Sequence, residues 1–268
     1  MTKAQINING PQPQRVLADV AHNCQIADGL HLLQLNAPEI AAIAHPGQFA
    51  MLQCAGGAFL RRPLSIHRLS PDKTLVSFLF AVLGKGTQWL AQVKVGDKVD
   101  VLGPMGNSFN LLPSSSNILL LAGGLGLAPL VFLADEALSR GICVNLAYGT
   151  ATNQRYDKQL LPHELRLIEF TDDGSYGKRG LVTECIHDYL NSADQIFACG
   201  PLPMYRAMSA QANLKGINVQ VSLETRMACG LGVCYGCTIN TVSGLQQVCH
   251  HGPVFNMEDV IWKEMAPI

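Results

Sequence analysis

Residues 119–129 read Leu-Leu-Leu-Ala-Gly-Gly-Leu-Gly-Leu-Ala-Pro, and this stretch decides the fold. The apolar run from Ile118 to Ala122 has the length of a strand buried on both faces. Gly123, Gly124 and Gly126 follow as a turn whose backbone can approach a ligand closely. A helical stretch then runs from Pro129 to about Arg140, and a helix start behind such a turn attracts an anionic pyrophosphate. The spacing is G-G-x-G and not G-x-G-x-x-G, so the usual dinucleotide fingerprint is absent and an ordinary strand-to-helix turn competes. Downstream, Val144 to Tyr148 and Gln195 to Ala198 read as further strands, and Pro203 to Leu214 as a helix. Such alternation predicts an open, mostly parallel α/β sheet over residues 113–222. Ligands bind at the carboxyl ends of its strands, which marks Cys199, Gly200 and Pro201 beside Gly123, Gly124 and Gly126 as an NAD site. Arg155 is the nearest cation after the second strand. One Arg is thin provision for a 2′-phosphate, so NAD is expected over NADP. Asp172-Asp173-Gly174-Ser175 reads as a solvated Asx-type turn.

Upstream the texture differs. Residues 1–14 are polar and predict a loose arm, and the remainder of 1–112 consists of short strands separated by turn residues. Leu75 to Leu83 has strand length, and Gly96-Asp97 makes a turn before the alternating Val99 and Val101. The spacing predicts a small antiparallel β-barrel. Within it, Arg61-Arg62-Pro63-Leu64-Ser65-Ile66 places an Arg and a Ser where an extended chain lets both meet one ligand. The Arg suits a diphosphate and the Ser the edge of a flavin ring. Gly84-Lys85-Gly86-Thr87 offers a second approach to phosphate, with Thr87 as the expected cap of a helix from Gln88 to Val93. Alone, this pattern reads equally well as a surface turn before a strand.

The tail, 223–268, carries Cys229-x4-Cys234-x2-Cys237-x11-Cys249. This is the plant-type [2Fe–2S] spacing: three thiolates on a tight loop and a fourth from elsewhere. Gly230, Gly232 and Gly236 let backbone N–H groups reach the sulfurs. Zinc competes, with Cys234 and Cys237 as one pair and Cys249 with His250 or His251 as the rest, but it leaves Cys229 unexplained. Cys24, Cys54, Cys143 and Cys185 read as small buried hydrophobes, while Cys199 divides between packing and a place beside the nicotinamide.

Composition narrows the function. The 268 residues are 48% hydrophobic and 15% charged, which excludes a mainly disordered chain. A net charge of −1 offers no basic surface for nucleic acid. Leu111 to Ala134 is uncharged, but its Pro, Ser and Gly residues break it as a membrane span. No secretory signal is visible, so a reducing, cytoplasmic setting is expected, in which clustered thiols bind metal. No Ser-His-Asp order, H-E-x-x-H or P-loop occurs, and no catalytic acid or base is assigned.

Taken in order, R-R-P-L-S-I, G-x-G-T, Gly103-Pro104-Met105-Gly106-Asn107, A-G-G-x-G-x-A-P and C-G-P-x-P-M resemble the ferredoxin-reductase superfamily. Ser222 to Gly232 (SLETRMACGLG) and Gly252-Pro253-Val254-Phe255 narrow the resemblance to the electron-transfer subunits of dihydroorotate dehydrogenase B. The resemblance implies FAD on the barrel, NAD on the α/β unit and a [2Fe–2S] cluster on Cys229, Cys234, Cys237 and Cys249. It implies FAD contacts from Arg62, Pro63, Leu64 and Ser65, from Leu79, Phe80 and Ala81, and from Gly86 and Thr87. It further implies a heterotetramer with FMN-bearing catalytic subunits, passing electrons from dihydroorotate through cluster and FAD to NAD+. The alternative keeps the cofactors in a hydrogenase, sulfide or ferredoxin:NADP reductase complex. Two positions depart from the pattern. Phe80-Ala81 stands where members often have Tyr-Arg, and His251 where an acidic residue commonly precedes Gly-Pro-Val-Phe.

Overall fold

The computed structural model describes residues 12–57, 59–153 and 156–266, so most of the expected N-terminal arm and Arg155 lie outside the described residues. Six strands close into an antiparallel barrel in the order β1-β2-β5-β4-β3-β6. They are β1 (Gln14–Ala27), β2 (Leu30–Asn36), β3 (Phe49–Leu52), β4 (Arg62–Leu69), β5 (Leu75–Ala81) and β6 (Lys98–Met105). Alternating inward residues fill it, among them Leu33, Leu35, Val76, Phe78, Val99 and Val101. The period of 2 places them all on one face. Two short helices interrupt the barrel, α1 (Pro38–Ala41) and α2 (Lys85–Gln92).

Helix α2 starts earlier than the sequence suggests, and Thr87 is not its cap. Gly84 takes the capping position, and Thr87 lies in the first turn. There its Oγ1 accepts the N–H groups of Leu83 at 2.9 Å and Gly84 at 3.2 Å. The hydroxyl ties the incoming loop to the helix instead of ending it.

The second unit is a seven-stranded sheet in the order β10-β9-β8-β7-β11-β12-β15. Its members are β7 (Asn117–Gly123), β8 (Cys143–Thr150), β9 (Arg166–Thr171), β10 (Lys178–Arg179), β11 (Gln195–Cys199), β12 (Asn218–Ser222) and β15 (Val254–Asn256). All pairings are parallel except that of β12 with β15. Between them lie α3 (Leu127–Ser139), α4 (Ile186–Tyr189) and α5 (Leu202–Ser209). The expected helix to Leu214 stops at Ser209. Past it, Gln211 and Leu214 donate their N–H groups three residues back, and this tighter winding turns Leu214 into the core.

The tail holds a hairpin, β13 (Thr238–Thr241) with β14 (Gly244–Gln247), and α6 (Val248–His251). It is not free-standing. Strand β15 completes the α/β sheet, pairing Val254 with Ser222 and Phe255 with Val221. Asn107, from the Gly103–Asn107 motif, fastens the barrel to it. Its N–H donates to the Gly252 carbonyl at 2.7 Å, its Nδ2 to the Val254 carbonyl at 2.8 Å, and its Oδ1 accepts the Val254 N–H at 2.9 Å.

Barrel and sheet meet where α3 packs on β4 and β5. This explains why β5 is an almost continuous apolar run: Phe78 faces the barrel core, while Leu79 joins the core beneath α3. Two polar clamps fix the joint. The Arg68 guanidinium pairs with Asp135 on α3 and donates to the Leu160 carbonyl at 2.9 Å. His67, 1% exposed, has Nδ1 3.0 Å from the Ala128 carbonyl and Nε2 3.0 Å from the Tyr156 hydroxyl. A carbonyl only accepts, so Nδ1 carries the proton and Nε2 accepts from Tyr156. Burial lowers the imidazole to about 4, and the ring is neutral.

Candidate functional site: two adjoining clefts and a cysteine loop

The first cleft, about 460 Å³, opens between barrel and sheet. The start of β4 supplies Arg62, Pro63, Leu64 and Ser65 to its wall, the end of β5 supplies Leu79, Phe80 and Ala81, and the start of α2 supplies Gly86 and Thr87. Strands β4 and β5 are neighbours, so their ends fall side by side. Arg62 lies across Gly86, where an added Cβ would come within 2.5 Å of its Nε. The glycine leaves room for the guanidinium along the helix start. Arg61, its neighbour, turns away and holds Asp100, with Nη2 2.8 Å from Oδ1. The Phe80 ring belongs to the barrel core, stacked on His31 at 5.7 Å, so it meets the cleft only at its edge.

The second cleft, about 680 Å³, lies over the carboxyl ends of the sheet strands. Gly123, Gly124, Gly126, Gly200 and Pro201 line it. Strands β8 and β11 flank β7 on opposite sides, so the chain leaves β7 at the point where the strand order reverses. The turns after β7 and β11 touch backbone to backbone: a Cβ on Gly126 would sit 1.9 Å from the Cys199 carbonyl oxygen. Cys199 itself does not line the cleft. Its side chain is 1% exposed, and burial pushes the thiol far above its ordinary value. Its side chain packs under the turn.

Sequence reasoning missed the wall between the clefts. Leu125 and Glu224 line both, so the two cavities adjoin there. Glu224 is open to the clefts but otherwise packed round by protein, and the lost hydration raises its carboxyl above the ordinary value. Beside it the buried Thr225 Oγ1 has no hydrogen-bond partner, and Thr225 lines the first cleft. The available signal was position: Glu224 and Thr225 follow directly on the carboxyl end of β12.

The same segment runs on into the cysteines. Met227 lines the first cleft and Cys229 is two residues further, a Cα separation of at most about 7 Å. Gly230 and Gly232 take φ of +71° and +74°, which a side chain would oppose. Gly230 packs on Met51 of β3, seating the loop against the barrel. The sulfurs lie as two pairs. Cys237 Sγ is 3.2 Å from Cys249 Sγ, and the Cys234 thiol donates to Cys229. Among the described residues no three Cys, His, Asp or Glu side chains converge on a single ion position. Two pairs suit a two-iron rhomb, each iron taking two thiolates, better than one tetrahedral zinc. Backbone N–H groups face the sulfurs, Leu231 reaching Cys229 at 3.3 Å and Gly232 reaching Cys249 at 3.2 Å. Burial opposes the Cys229 thiolate, but the N–H groups of Leu231, Cys234 and Val233 outweigh it and bring this thiol down to about 6. Burial pushes Cys249 up to about 12. The donor set fits the cluster. His250 and His251 lie outside both sulfur pairs, and His251 Nδ1 accepts the Gln247 N–H at 3.0 Å.

A barrel, a parallel sheet, two adjoining clefts and a four-cysteine loop define a pyridine-nucleotide-linked flavin and iron–sulfur oxidoreductase. Comparison with known proteins makes the assignment specific. Residues 224–261 match the family described as the iron–sulfur cluster binding domain of dihydroorotate dehydrogenase B. The dihydroorotate dehydrogenase B (NAD(+)) electron transfer subunit of Desulforamulus reducens is 36% identical over 89% of this chain and 95% of that protein. The corresponding subunit of Geobacillus thermodenitrificans is 37% identical over 88% and 94%. Among solved structures, the NADH-dependent reduced ferredoxin-NADP oxidoreductase superposes with a TM-score of 0.83 at 28% identity, over 93% of this chain and 91% of that one. The ferredoxin reductase of carbazole 1,9a-dioxygenase shares the fold at a TM-score of 0.67, 22% identity, and 78% and 69% coverage. The chain belongs to the family of dihydroorotate dehydrogenase B electron-transfer subunits.

Proposed function

We propose that this chain carries electrons from an FMN-bearing dihydroorotate-oxidising subunit to NAD+, in a cytoplasmic heterotetramer of two chains of each kind. One observation carries the reading: the segment 223–229 forms the wall of the first cleft, meets the second cleft at Glu224 and supplies the first cysteine. FAD and a [2Fe–2S] cluster bound here supply the change between paired and single electron transfer that neither pyridine nucleotide nor cluster accomplishes alone. The chain's own residues position these groups. Arg62 offers a diphosphate its guanidinium, and the Thr225 hydroxyl, unpartnered and buried, offers the flavin a hydrogen bond. The glycine turns bring backbone N–H groups to the dinucleotide. Cys229, Cys234, Cys237 and Cys249 hold the cluster. Cys234, the exposed one of the four, marks the side facing the partner.

The test is reconstitution with the FMN-bearing subunit under anaerobic conditions. Dihydroorotate should then drive NAD+ reduction, and Cys234→Ser should abolish it while dihydroorotate still bleaches the partner's flavin. NADH-driven reduction of ferredoxin, without coupling to dihydroorotate, would move the chain to a ferredoxin-linked complex. The structural likeness to the reduced ferredoxin-NADP oxidoreductase favours that second reading.

A further inference from the structure

We propose that a carrier protein with a thiolate-held [2Fe–2S] cluster docks on the tip of the cysteine loop, and that the cluster enters in a fixed order, onto Cys234 and Cys229 first and onto Cys237 and Cys249 last. The proposal rests on the four cysteines as cluster ligands and on no reading of the electron donor. The two sulfur pairs lie at different depths. Cys237 and Cys249 are each 3% exposed and belong to the core that holds Ile239, Val248 and Phe255. Cys234 is exposed and Cys229 half-buried. Gly232, on the loop between them, closes against the inner pair. Its N–H reaches Cys249 Sγ at 3.2 Å, its carbonyl accepts Gln247 Nε2 at 2.8 Å, and a Cβ on it would lie 3.1 Å from His250. With one iron on each pair, an incoming rhomb meets the outer sulfurs before the inner ones.

The tip has the chemistry for such a visitor. Leu231, Val233 and Tyr235 flank Cys234 and are 52%, 73% and 69% exposed. Three exposed apolar side chains within five residues mark a contact face, and Tyr is favoured as its anchor. Tyr235 takes φ +59°, unusual for a bulky side chain. Its carbonyl accepts the Thr238 N–H at 3.3 Å and the Thr238 hydroxyl at 2.7 Å, which holds the turn. Residues 227–249 contain no Asp, Glu, Lys or Arg. A two-iron centre on four thiolates carries net negative charge, so a neutral surface with N–H groups directed at sulfur admits it without repulsion. Free iron and sulfide need no contact face; an apolar rim around the accessible ligand fits a protein that delivers the cluster whole. The exchange balances. Each donor sulfur–iron bond that breaks is replaced by one to a cysteine of this chain, the protons of these four thiols pass to the departing donor thiolates, and neither iron changes oxidation state.

The experiment uses the complete FAD-loaded chain freed of its cluster and mixes it anaerobically with a glutaredoxin dimer carrying one [2Fe–2S] cluster. Visible circular dichroism follows the transfer, and FAD content at the parent's level certifies the fold of each variant. Cys234→Ser should slow the second-order transfer about tenfold or more. Cys237→Ser should draw the cluster from the carrier at the parent's initial rate and then lose it. Tyr235→Ser should slow transfer from the carrier about tenfold and leave reconstitution by ferrous iron and sulfide at the parent's rate. Transfer to Cys234→Ser at the parent's rate, or a start in Cys237→Ser as slow as in Cys234→Ser, overturns the order. Transfer to Tyr235→Ser at the parent's rate overturns the docking face. A parent chain that builds a cluster from ferrous iron and sulfide but takes none from the carrier overturns the proposal and leaves the ligand assignment standing. A parent chain that gains a cluster from neither source overturns both.

Discussion

The flavin cleft and the cysteine loop share a segment but are held in opposite ways. The cleft is framed by the ends of β4 and β5 and by α2, and behind it stand Phe78, Leu79 and the core under α3. Its shape follows from apolar burial at about 25 cal/mol per Å². The loop from Cys229 to Cys237 has no helix or strand of its own; its order comes from glycines with positive φ, N–H groups aimed at sulfur and contact with Met51. Such a loop depends on its metal for rigidity. The difference teaches that one chain frames a site for an organic cofactor with strands and a helix and, a few residues away, a site for an inorganic one with a loop alone.

The largest effect that would break this contrast lies in the loop. Cys237→Ser, in the buried pair with Cys249, should cost more than about 100-fold in metal affinity, above the 10–100-fold typical of lost outer partners. Iron and sulfide analysis should show the cluster gone while FAD content stays at the parent level. Parallel loss of FAD would show that the cleft depends on the loop. The reciprocal change is Arg62→Ala, which removes a charged hydrogen-bond donor from the cleft wall. It should weaken FAD by about 1.5–3 kcal/mol, roughly 10- to 100-fold, read as flavin retained after desalting, with iron unchanged.

The joint behind the cleft gives a pH test. The folded state holds His67 near 4 against an ordinary 6.5, so the unfolded chain binds the proton more readily. Stability is therefore complete above about 6.5 and falls as the pH drops toward 4, by about 2 kcal/mol at pH 5. Urea midpoints at pH 7 and pH 5 should show this loss in the parent and less of it in His67→Gln. Smallest is Gly86→Ala. Its methyl would press on the Arg62 guanidinium, and the expected cost is under about tenfold in FAD affinity, with the urea midpoint little changed.

How much of this was legible in the sequence depends on the range of the interaction involved. The barrel and sheet showed through, because the alternation at Val99 and Val101 and the unbroken run at Ile118–Ala122 are local records of burial. The cysteine spacing was equally plain, since one short loop supplies three of the four sulfurs. The residues drawn from R-P-L-S, L-F-A and G-T converge on one cleft because β4 and β5 are neighbours. What escaped notice is made by tertiary contact alone. Glu224 and Leu125 are 99 residues apart, and only the order of β7, β11 and β12 brings them to one wall. Cys199 looked like a ligand contact because it sits at a strand end, yet the pleat turns its side chain under the turn. Asp172 looked like half of a solvated turn; the turn belongs to Asp173, and its neighbour faces the cleft.

Residues 253–262 are structural mortar for everything before them. Pro253 closes the flavin cleft, β15 edges the sheet, and Trp262 lies over Tyr205 at 5.1 Å. On the ribosome, where chains emerge from the amino end first, the barrel can assemble early, but the flavin cleft lacks one wall until Pro253 has emerged. A chain truncated near residue 250 would lack that wall of the FAD seat as well as the edge strand β15.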